Sequence, residues 1–323
     1  MKYGTIPGVD KQASRVAQGM VMLNEDDVAG GLALLDAVYD AGINTFDSSS
    51  IYGGGACDRV FGRWVAERGL REQIVLMDKC CHHNHDRGRV TPFDLTSDLH
   101  DCLARLGFET IEVFAFHRDD PAAEVGPLVE RMNEHIAEGK IQAYGASNWT
   151  HQRVQEANEY AEAHGLQGMS VASPHYALAE CVAEPWGKGS VTITGEAGAD
   201  ARRYYEQTQL PLLPWSSLCG GFFSGRFRRD NLQSFTGPAD QRCVRCYCTE
   251  DNFRRRDRAE ELAAEKNATL AQIALAYVLC GPLNVFALTA AHKPAEAADN
   301  AAAADIELTE AERAWLDLRS DAR

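Results

Sequence analysis

Short runs of apolar residues recur along the chain, and each run is followed by a stretch in which apolar positions return every three or four residues. Most runs are rich in β-branched or aromatic side chains, which is typical of strands buried on both faces of a sheet. The pattern predicts eight strands: Arg15–Met20, Ile43–Phe46, Ile74–Met77, Ile111–Phe116, Ile141–Ala146, Gly168–Ala172, Leu212–Trp215 and Val285–Thr289.

Amphipathic stretches between and after these strands predict helices. They are Val28–Ala41, Asp58–Arg68, Pro92–Leu106, Val125–Glu138, Gln152–His164, Asp200–Thr208, Arg254–Glu265, Leu270–Leu279 and Glu310–Leu318. Local signals agree with this division. Thr91 is a capping residue directly before Pro92, and Thr309 and Glu312 have the spacing of a capping box.

The alternation of strands and helices predicts a parallel sheet, and eight such units in 323 residues favour an α/β fold of the (β/α)8 TIM-barrel type. We predict a single domain over residues 1–323, with long loops at the C-terminal face of the barrel. The segments Trp186–Gly198 and Gly220–Asn252 are too long for ordinary connections. A dinucleotide-binding sheet is the alternative, but Gly53-Gly54-Gly55 lacks the glycine spacing that this fold uses.

Charge is distributed unevenly along the chain. There are 32 Lys and Arg against 47 Asp and Glu, a formal net charge of −15. This balance disfavours general binding to nucleic acid or to an anionic membrane. The segment Arg226–Arg258 is an exception, because it holds nine Arg, no Lys and five acidic residues. Within it, Arg254, Arg255 and Arg256 are predicted to lie on a solvated helix face.

The cysteines and the N-terminus bear on the environment of the protein. The chain begins without an apolar signal-peptide core, and its ten cysteines are scattered, which predicts reduced thiols and a cytoplasmic location. Cys243, Cys246 and Cys248 have a spacing seen in metal sites. A zinc site would need a fourth ligand that no second motif supplies, so no metal is predicted and the role of this cluster stays open.

Polar residues with useful chemistry follow three consecutive predicted strands. Asp47, Lys79 and His117 come after the second, third and fourth strands, and Tyr52 follows Asp47 closely. In a barrel these strand ends meet on one face. Lys79 would lower the pKa of Tyr52, Asp47 would keep Lys79 charged, and His117 could hydrogen-bond a carbonyl oxygen. The group therefore predicts protonation of an oxygen on which negative charge develops.

These residues lie in segments that resemble the aldo-keto reductases. The resemblance rests on Gly42–Gly53, Lys79, His117-Arg118, Gly139–Trp149 and Leu213–Arg226, which follow the family's order over nearly the whole chain. It implies NAD(P)H-dependent reduction of a small aldehyde or ketone, with Tyr52 as the general acid. It also implies a set of cofactor-binding residues: Ser147, Asn148, Ser173, Trp215, Ser216, Leu218, Gly220, Ser224, Arg226, His292, Asp299 and Asn300.

The sequence leaves two candidate coenzymes. The resemblance implies NADPH, but Ala290 and Glu296 occupy positions where many NADPH-specific members carry basic residues. A carboxylate at position 296 would repel a 2′-phosphate, so NADH is the alternative, unless His292 or Lys293 compensates.

Two further hypotheses remain from the sequence. The first is a non-catalytic, nicotinamide-binding regulatory or sensor subunit on the same barrel. The second is a phosphate-binding isomerase or lyase that uses the arginine-rich segment. If the protein is a reductase, the polar loop that holds His82, His83 and His85 favours a hydroxylated, sugar-like substrate.

Overall fold

The computed structural model describes residues 1–323. Its strands in chain order are β1 (Tyr3–Gly4), β2 (Ala13–Ser14), β3 (Val16–Gly19), β4 (Thr45–Asp47), β5 (Val75–Cys80), β6 (Ile111–Phe116), β7 (Ile141–Ser147), β8 (Val171–Ser173) and β9 (Ala287–Thr289). The first two form an antiparallel pair, and the other seven form a parallel sheet in the order β8-β7-β6-β5-β4-β3-β9. The predicted parallel sheet is confirmed.

The predicted strand Leu212–Trp215 is present only as a short bridge that closes the sheet. Leu212 pairs with Ala172 on one side and with Val285 on the other. Pro211 and Pro214 flank this bridge, and because a proline has no N–H to donate, they interrupt the ladder. Beyond Pro214 only a second isolated bridge forms, between Trp215 and His175. Seven strands and this bridge form the barrel of the (β/α)8 type that the sequence predicts.

Eleven α-helices surround the sheet or occupy its loops. They are α1 (Val28–Asp40), α2 (Ala56–Arg68), α3 (Pro92–Leu106), α4 (Val125–Ala137), α5 (His151–Ala163), α6 (Ala199–Thr208), α7 (Pro238–Tyr247), α8 (Glu250–Lys266), α9 (Leu270–Leu279), α10 (Pro294–Ala302) and α11 (Glu310–Leu316). None of them has both the length and the apolar character that crossing a bilayer demands.

Helix α7 lies inside the segment that we predicted to be a long loop. Pro238 occupies its first turn, and Cys243, Cys246 and Tyr247 form its buried face. That face is short and consists largely of cysteines, which is why the hydrophobic pattern does not reveal the helix. The long connection between the barrel and α8 is therefore folded against the core.

The inside of the barrel is filled by alternate residues of the strands. Val75 and Met77 of β5, and Val113 and Ala115 of β6, belong to one buried cluster of eleven residues. Because successive side chains of a strand point to opposite faces, the next inward position after Met77 is Lys79. Helices pack on the outer face, so the open space above the strand ends is where a site can form.

Candidate active site

Lys79 and Asp47 form a buried ion pair at the ends of neighbouring strands. Lys79 Nζ donates hydrogen bonds to the Asp47 carboxylate and to the Ser48 carbonyl oxygen. Only 3 % of Lys79 and 2 % of Asp47 are exposed. Burial lowers the pKa of Lys79, but Asp47, Tyr52 and Asp78 together raise it by more, so the pKa lies above its ordinary value and the ammonium stays protonated.

Tyr52 lies beside this pair, on a tight turn after β4. Gly53 and Gly54 have φ angles of 56° and 61°, in the left-handed region that glycine adopts readily. The centre of the Tyr52 ring is 5.3 Å from Lys79 Nζ. Its hydroxyl makes no hydrogen bond within the chain, so it is free to meet a ligand.

The pKa of Tyr52 differs from the sequence expectation. The Lys79 charge does lower it, as we predicted, but burial raises it by more, and the result is about 12. Sequence reasoning counted the neighbouring charge and could not count the desolvation of the phenol. Tyr52 therefore carries its proton at neutral pH, which is the state that a proton donor needs.

His117 forms the third side of the site. Its ring centre is 5.7 Å from that of Tyr52, with the two planes nearly perpendicular. Its Nδ1 atom is 2.8 Å from Ser49 Oγ. Burial and the Lys79 charge hold the pKa of His117 well below its usual range, so the imidazole is neutral. The ring of His82 lies 4.8 Å away, which places the predicted polar loop at the edge of the site.

A buried polar cluster behind Lys79 was missed by sequence reasoning. One side-chain ligand atom each of Asp58, Asp78 and Cys102 lies within 4.8 Å of the others. Ser48 Oγ donates to Asp58 at 2.5 Å. Burial raises the pKa of both carboxyl groups, that of Asp58 to about 6. The one sequence feature that could have revealed this cluster is Asp78 itself. It is a charged residue at an outward position of β5, a strand that is buried on both faces.

Three predicted cofactor residues lie together at the ends of β7 and β8. Ser147 Oγ donates to the Ser173 carbonyl oxygen at 3.0 Å. Ser173 Oγ donates to the Leu213 carbonyl oxygen at 2.6 Å. The Asn148 amide donates to the His117 carbonyl oxygen and accepts from the Val191 N–H. These side chains are held in place before any ligand binds, and Asn148 also ties this rim to His117.

The segment after the Leu212 bridge has backbone N–H groups that make no hydrogen bond within the chain. Trp215 packs against His175 at a ring distance of 4.8 Å, and its Nε1 atom is buried without a partner. The backbone N–H groups of Ser216 and Leu218 donate to no carbonyl. Gly220 has a φ of 60°, and a Cβ added there would meet no atom closer than 4.0 Å. An anion could therefore approach this backbone closely.

Arg226 and Ser224 lie at the exposed end of the same segment. The Arg226 guanidinium pairs with Asp240 and lies over the Phe227 ring at 4.5 Å. One of its nitrogens is 4.0 Å from the position that a Cβ of residue 221 would occupy. The Arg226 N–H donates to Ser224 Oγ at 3.5 Å. Arg226 is thus next to the glycine turn.

The predicted cofactor-binding residues His292, Asp299 and Asn300 follow β9. The His292 N–H donates to a Glu296 carboxylate oxygen at 2.8 Å. Asn300 is buried, whereas the Asp299 carboxylate accepts hydrogen bonds from Thr269 and Gln272 at the start of α9. Asp299 therefore has a structural task already, as part of the contact between α10 and α9.

The prediction that Arg255 and Arg256 lie on a solvated surface is wrong. They are only 5 % and 9 % exposed. Arg255 pairs with Glu180 and donates to Asn252, and Arg256 donates to the Phe227 carbonyl oxygen. Phe227 lies in the segment before α7 and Glu180 in the segment between β8 and α6, so two connections cover this face of α8, which the helix sequence alone cannot show.

The other arginines of the segment are also engaged. Arg229 pairs with Glu250 and Asp257, and Arg254 pairs with Asp251. The Arg242 guanidinium lies 3.8 Å from the centre of the Trp186 ring. The segment therefore presents no open cluster of arginines, which argues against a site built there for a substrate phosphate.

The sequence of the chain matches a known protein family. Residues 19–318 match the family model described as "Aldo/keto reductase family". A probable voltage-gated potassium channel subunit beta from Oryza sativa is 26% identical over 320 residues, covering 95% of this chain and 92% of that protein. The norsolorinic acid reductase of Aspergillus flavus is 26% identical over 308 residues, covering 92% of this chain and 73% of that protein.

Solved structures show the same fold. The glycerol dehydrogenase of Gluconobacter oxydans has a TM-score of 0.79 at 23% identity, covering 98% of this chain and 94% of that one. An aldo-keto reductase from Klebsiella pneumoniae in complex with NADPH has a TM-score of 0.71 at 23% identity, covering 100% of this chain and 97% of that one.

Proposed function

Because the chain belongs to the aldo/keto reductase family, we propose that it reduces an aldehyde or ketone to the alcohol with a nicotinamide coenzyme, Tyr52 acting as the general acid. The observation that carries the proposal is the position of the Tyr52 hydroxyl. It is free of partners, and the ring that carries it has its centre 5.3 Å from the ammonium of Lys79, which is held by a buried carboxylate. The same groups would serve the reverse oxidation of an alcohol.

The residues beyond the strand ends fit a bound nicotinamide dinucleotide. The free N–H groups of Ser216 and Leu218 suit a pyrophosphate, and the Trp215 indole offers a flat surface for the nicotinamide ring. Ser147, Asn148 and Ser173 offer polar groups where the carboxamide would lie. When bound, the coenzyme supplies the hydride that adds to the carbonyl carbon.

The residues of the chain then manage the charge on the carbonyl oxygen. His117 is neutral and can hydrogen-bond that oxygen without delivering a full charge. As negative charge develops there, the phenol of Tyr52 gives up its proton. Lys79 stabilises the phenolate that remains, and Asp47 keeps Lys79 charged and in place.

We take NADPH as the coenzyme. The similar aldo-keto reductase from Klebsiella pneumoniae holds NADPH, which favours this choice. Glu296 opposes it, since its carboxylate is held at the loop after β9 by the His292 N–H. Titration with both coenzymes, followed by quenching of Trp fluorescence with Trp215→Phe as the control, decides between them. Tighter binding of NADH would overturn the choice.

The substrate we favour is a small carbonyl compound that also carries hydroxyl groups. His82 lies against His117, and Arg118 is buried beside it with an Nε atom that has no partner. A cavity of about 170 Å³ beside Trp215 is lined by both apolar and polar residues, the polar ones being Glu184, Ser190 and Thr192. Such a lining rewards a substrate that can make several hydrogen bonds.

The second candidate function is a non-catalytic regulatory subunit. It is favoured by the similarity to probable potassium channel beta subunits over nearly the whole chain. The decisive experiment is to follow coenzyme oxidation with a broad panel of aldehydes and ketones, including hydroxylated ones. Turnover supports the reductase, whereas tight coenzyme binding without turnover on any member supports the regulatory subunit. Turnover of a phosphorylated substrate without any nicotinamide coenzyme would overturn both.

A further inference from the structure

The three consecutive serines after Asp47 have three different environments. Ser48 Oγ donates to Asp58, and Ser50 Oγ is buried without any partner. Ser49 Oγ alone reaches the catalytic face, where it lies 2.8 Å from His117 Nδ1. Both Ser49 and His117 are buried, so water does not compete for this contact.

We propose that Ser49 is a positioning residue that fixes the ring proton of His117 on Nε2. The proposal rests on the proposed function only in that His117 is the group that meets the carbonyl oxygen. A neutral imidazole carries one ring proton, and the nitrogen bonded to Ser49 determines where that proton lies.

Two arrangements of the Ser49–His117 hydrogen bond are possible. If the Ser49 hydroxyl donates to Nδ1, the proton is on Nε2, which can then donate to a carbonyl oxygen. If Nδ1 donates to Ser49, the Nε2 lone pair would face that oxygen and repel it. Nε2 has no partner in the chain, so only the first arrangement gives a site that can hold a carbonyl group.

The surroundings favour the donating role of Ser49. Its hydroxyl proton has no other acceptor, since the only hydrogen bond that Ser49 Oγ makes is the one with His117 Nδ1. A buried hydroxyl that did not use its proton would lose a hydrogen bond that it makes in water. The backbone N–H of His117 donates to the Cys80 carbonyl oxygen at 2.8 Å, and this bond holds the residue in register with β5.

The direct test is the tautomer of His117 in the coenzyme-free protein, read from ¹⁵N chemical shifts of the histidine rings. The signal is assigned by its loss in His117→Gln. We expect wild type and Ser50→Ala to show a protonated Nε2 and an unprotonated Nδ1. Ser49→Ala should show a mixture of tautomers or protonation of Nδ1, because Nδ1 then lacks its donor.

The kinetic test uses the same pair of variants. Ser49→Ala should lower kcat/KM about tenfold, because part of the protein then presents the wrong tautomer and a buried nitrogen lacks its partner. Ser50→Ala removes a neighbouring hydroxyl that has no partner, so it should stay within about twofold of wild type.

A wild-type spectrum with the proton on Nδ1 would overturn the proposal, even if Ser49→Ala did not fold. An unchanged tautomer in Ser49→Ala would do the same. Because the spectrum is recorded without substrate, it can fail while wild type still reduces carbonyls, and it can succeed even if no substrate is turned over. The two proposals therefore fail in distinguishable ways.

Discussion

Two charged regions of this molecule use their charges in different ways. At the ends of β4 and β5, Asp47 and Lys79 are distant in sequence, buried, and paired with each other beside a free phenol. In the segment Arg226–Arg258, most arginines pair with carboxylates of neighbouring turns and helices or lie over aromatic rings. The comparison teaches that the position of a charge at a strand end indicates function better than the local density of charge does.

The largest effect should follow from breaking the buried pair at the strand ends. Asp47→Asn leaves the Lys79 ammonium buried without its counter-charge, which costs about 3–5 kcal/mol for a group of this kind. We expect a loss of that order in the free energy of unfolding, measured with urea, together with a fall in kcat. A stability within about 0.5 kcal/mol of wild type would show that the pair is not the support we describe.

Arg255→Ala tests the arginine-rich segment by the same measurement. It leaves Asn252 and Glu180 without their buried partner, and because Glu180 is half-exposed, we expect a smaller loss of about 2 kcal/mol. Coenzyme affinity should barely change. Arg254→Ala, at an exposed neighbour, is the matched control and should be nearly neutral. Equal losses in the two variants would contradict the buried role of Arg255.

Asp78→Asn tests the cluster behind Lys79 through the pH dependence of stability. A carboxyl whose folded-state pKa is raised binds more protons when folded, so it favours folding at acid pH, and that contribution is lost as the pH rises through the folded pKa. The wild-type stability contributed by Asp58 should therefore fall between about pH 4 and pH 6, and that contributed by Asp78 should fall as the pH rises above about 4.

In Asp78→Asn this fall should be smaller, and the variant should gain about 1–2 kcal/mol relative to wild type at pH 7. The measurement is urea unfolding of both proteins at several pH values. If the free energy of unfolding changed with pH in the same way in both proteins, and Asp78→Asn were no more stable at pH 7, the two carboxyl groups would not oppose each other.

The smallest effect concerns Arg226, the exposed arginine beside the glycine turn. Arg226→Ala should weaken NADPH binding about fivefold to tenfold, with a loss that shrinks at high salt, because the guanidinium is exposed and screened. Stability should hardly change. Arg228→Ala is the control, because Arg228 is an exposed arginine of the same segment that pairs only with the neighbouring Asp230. Equal weakening of NADPH binding in both variants would show that Arg226 acts only through the general positive charge of the segment and makes no specific contact with the coenzyme.

The sequence could predict those features of the molecule that are determined by residues close together in the chain. The residues Asp47, Lys79 and His117 could be found because each ends an apolar run, and strand ends of a barrel converge. The family also followed from the order of the motifs. The bridge at Leu212 could have been anticipated only from its flanking prolines, and the raised pKa of Tyr52 depends on burial that no local pattern reveals.

The buried arginines show the same limit. Whether Arg255 faces water or the core depends on the segment between β8 and α6, which brings Glu180 against α8. Asp78 was overlooked for a related reason, because its partners Asp58 and Cys102 lie on two other elements. Contacts between distant elements decide these cases, and a single sequence does not record them.

The account depends most on the claim that Tyr52 protonates the carbonyl oxygen. The most direct measurement is a single turnover of bound coenzyme with a carbonyl substrate, in wild type and in Tyr52→Phe, after the coenzyme affinity of each has been measured. The account predicts similar affinities and a rate at least about 100-fold lower in the variant. Equal single-turnover rates in the two proteins would contradict it.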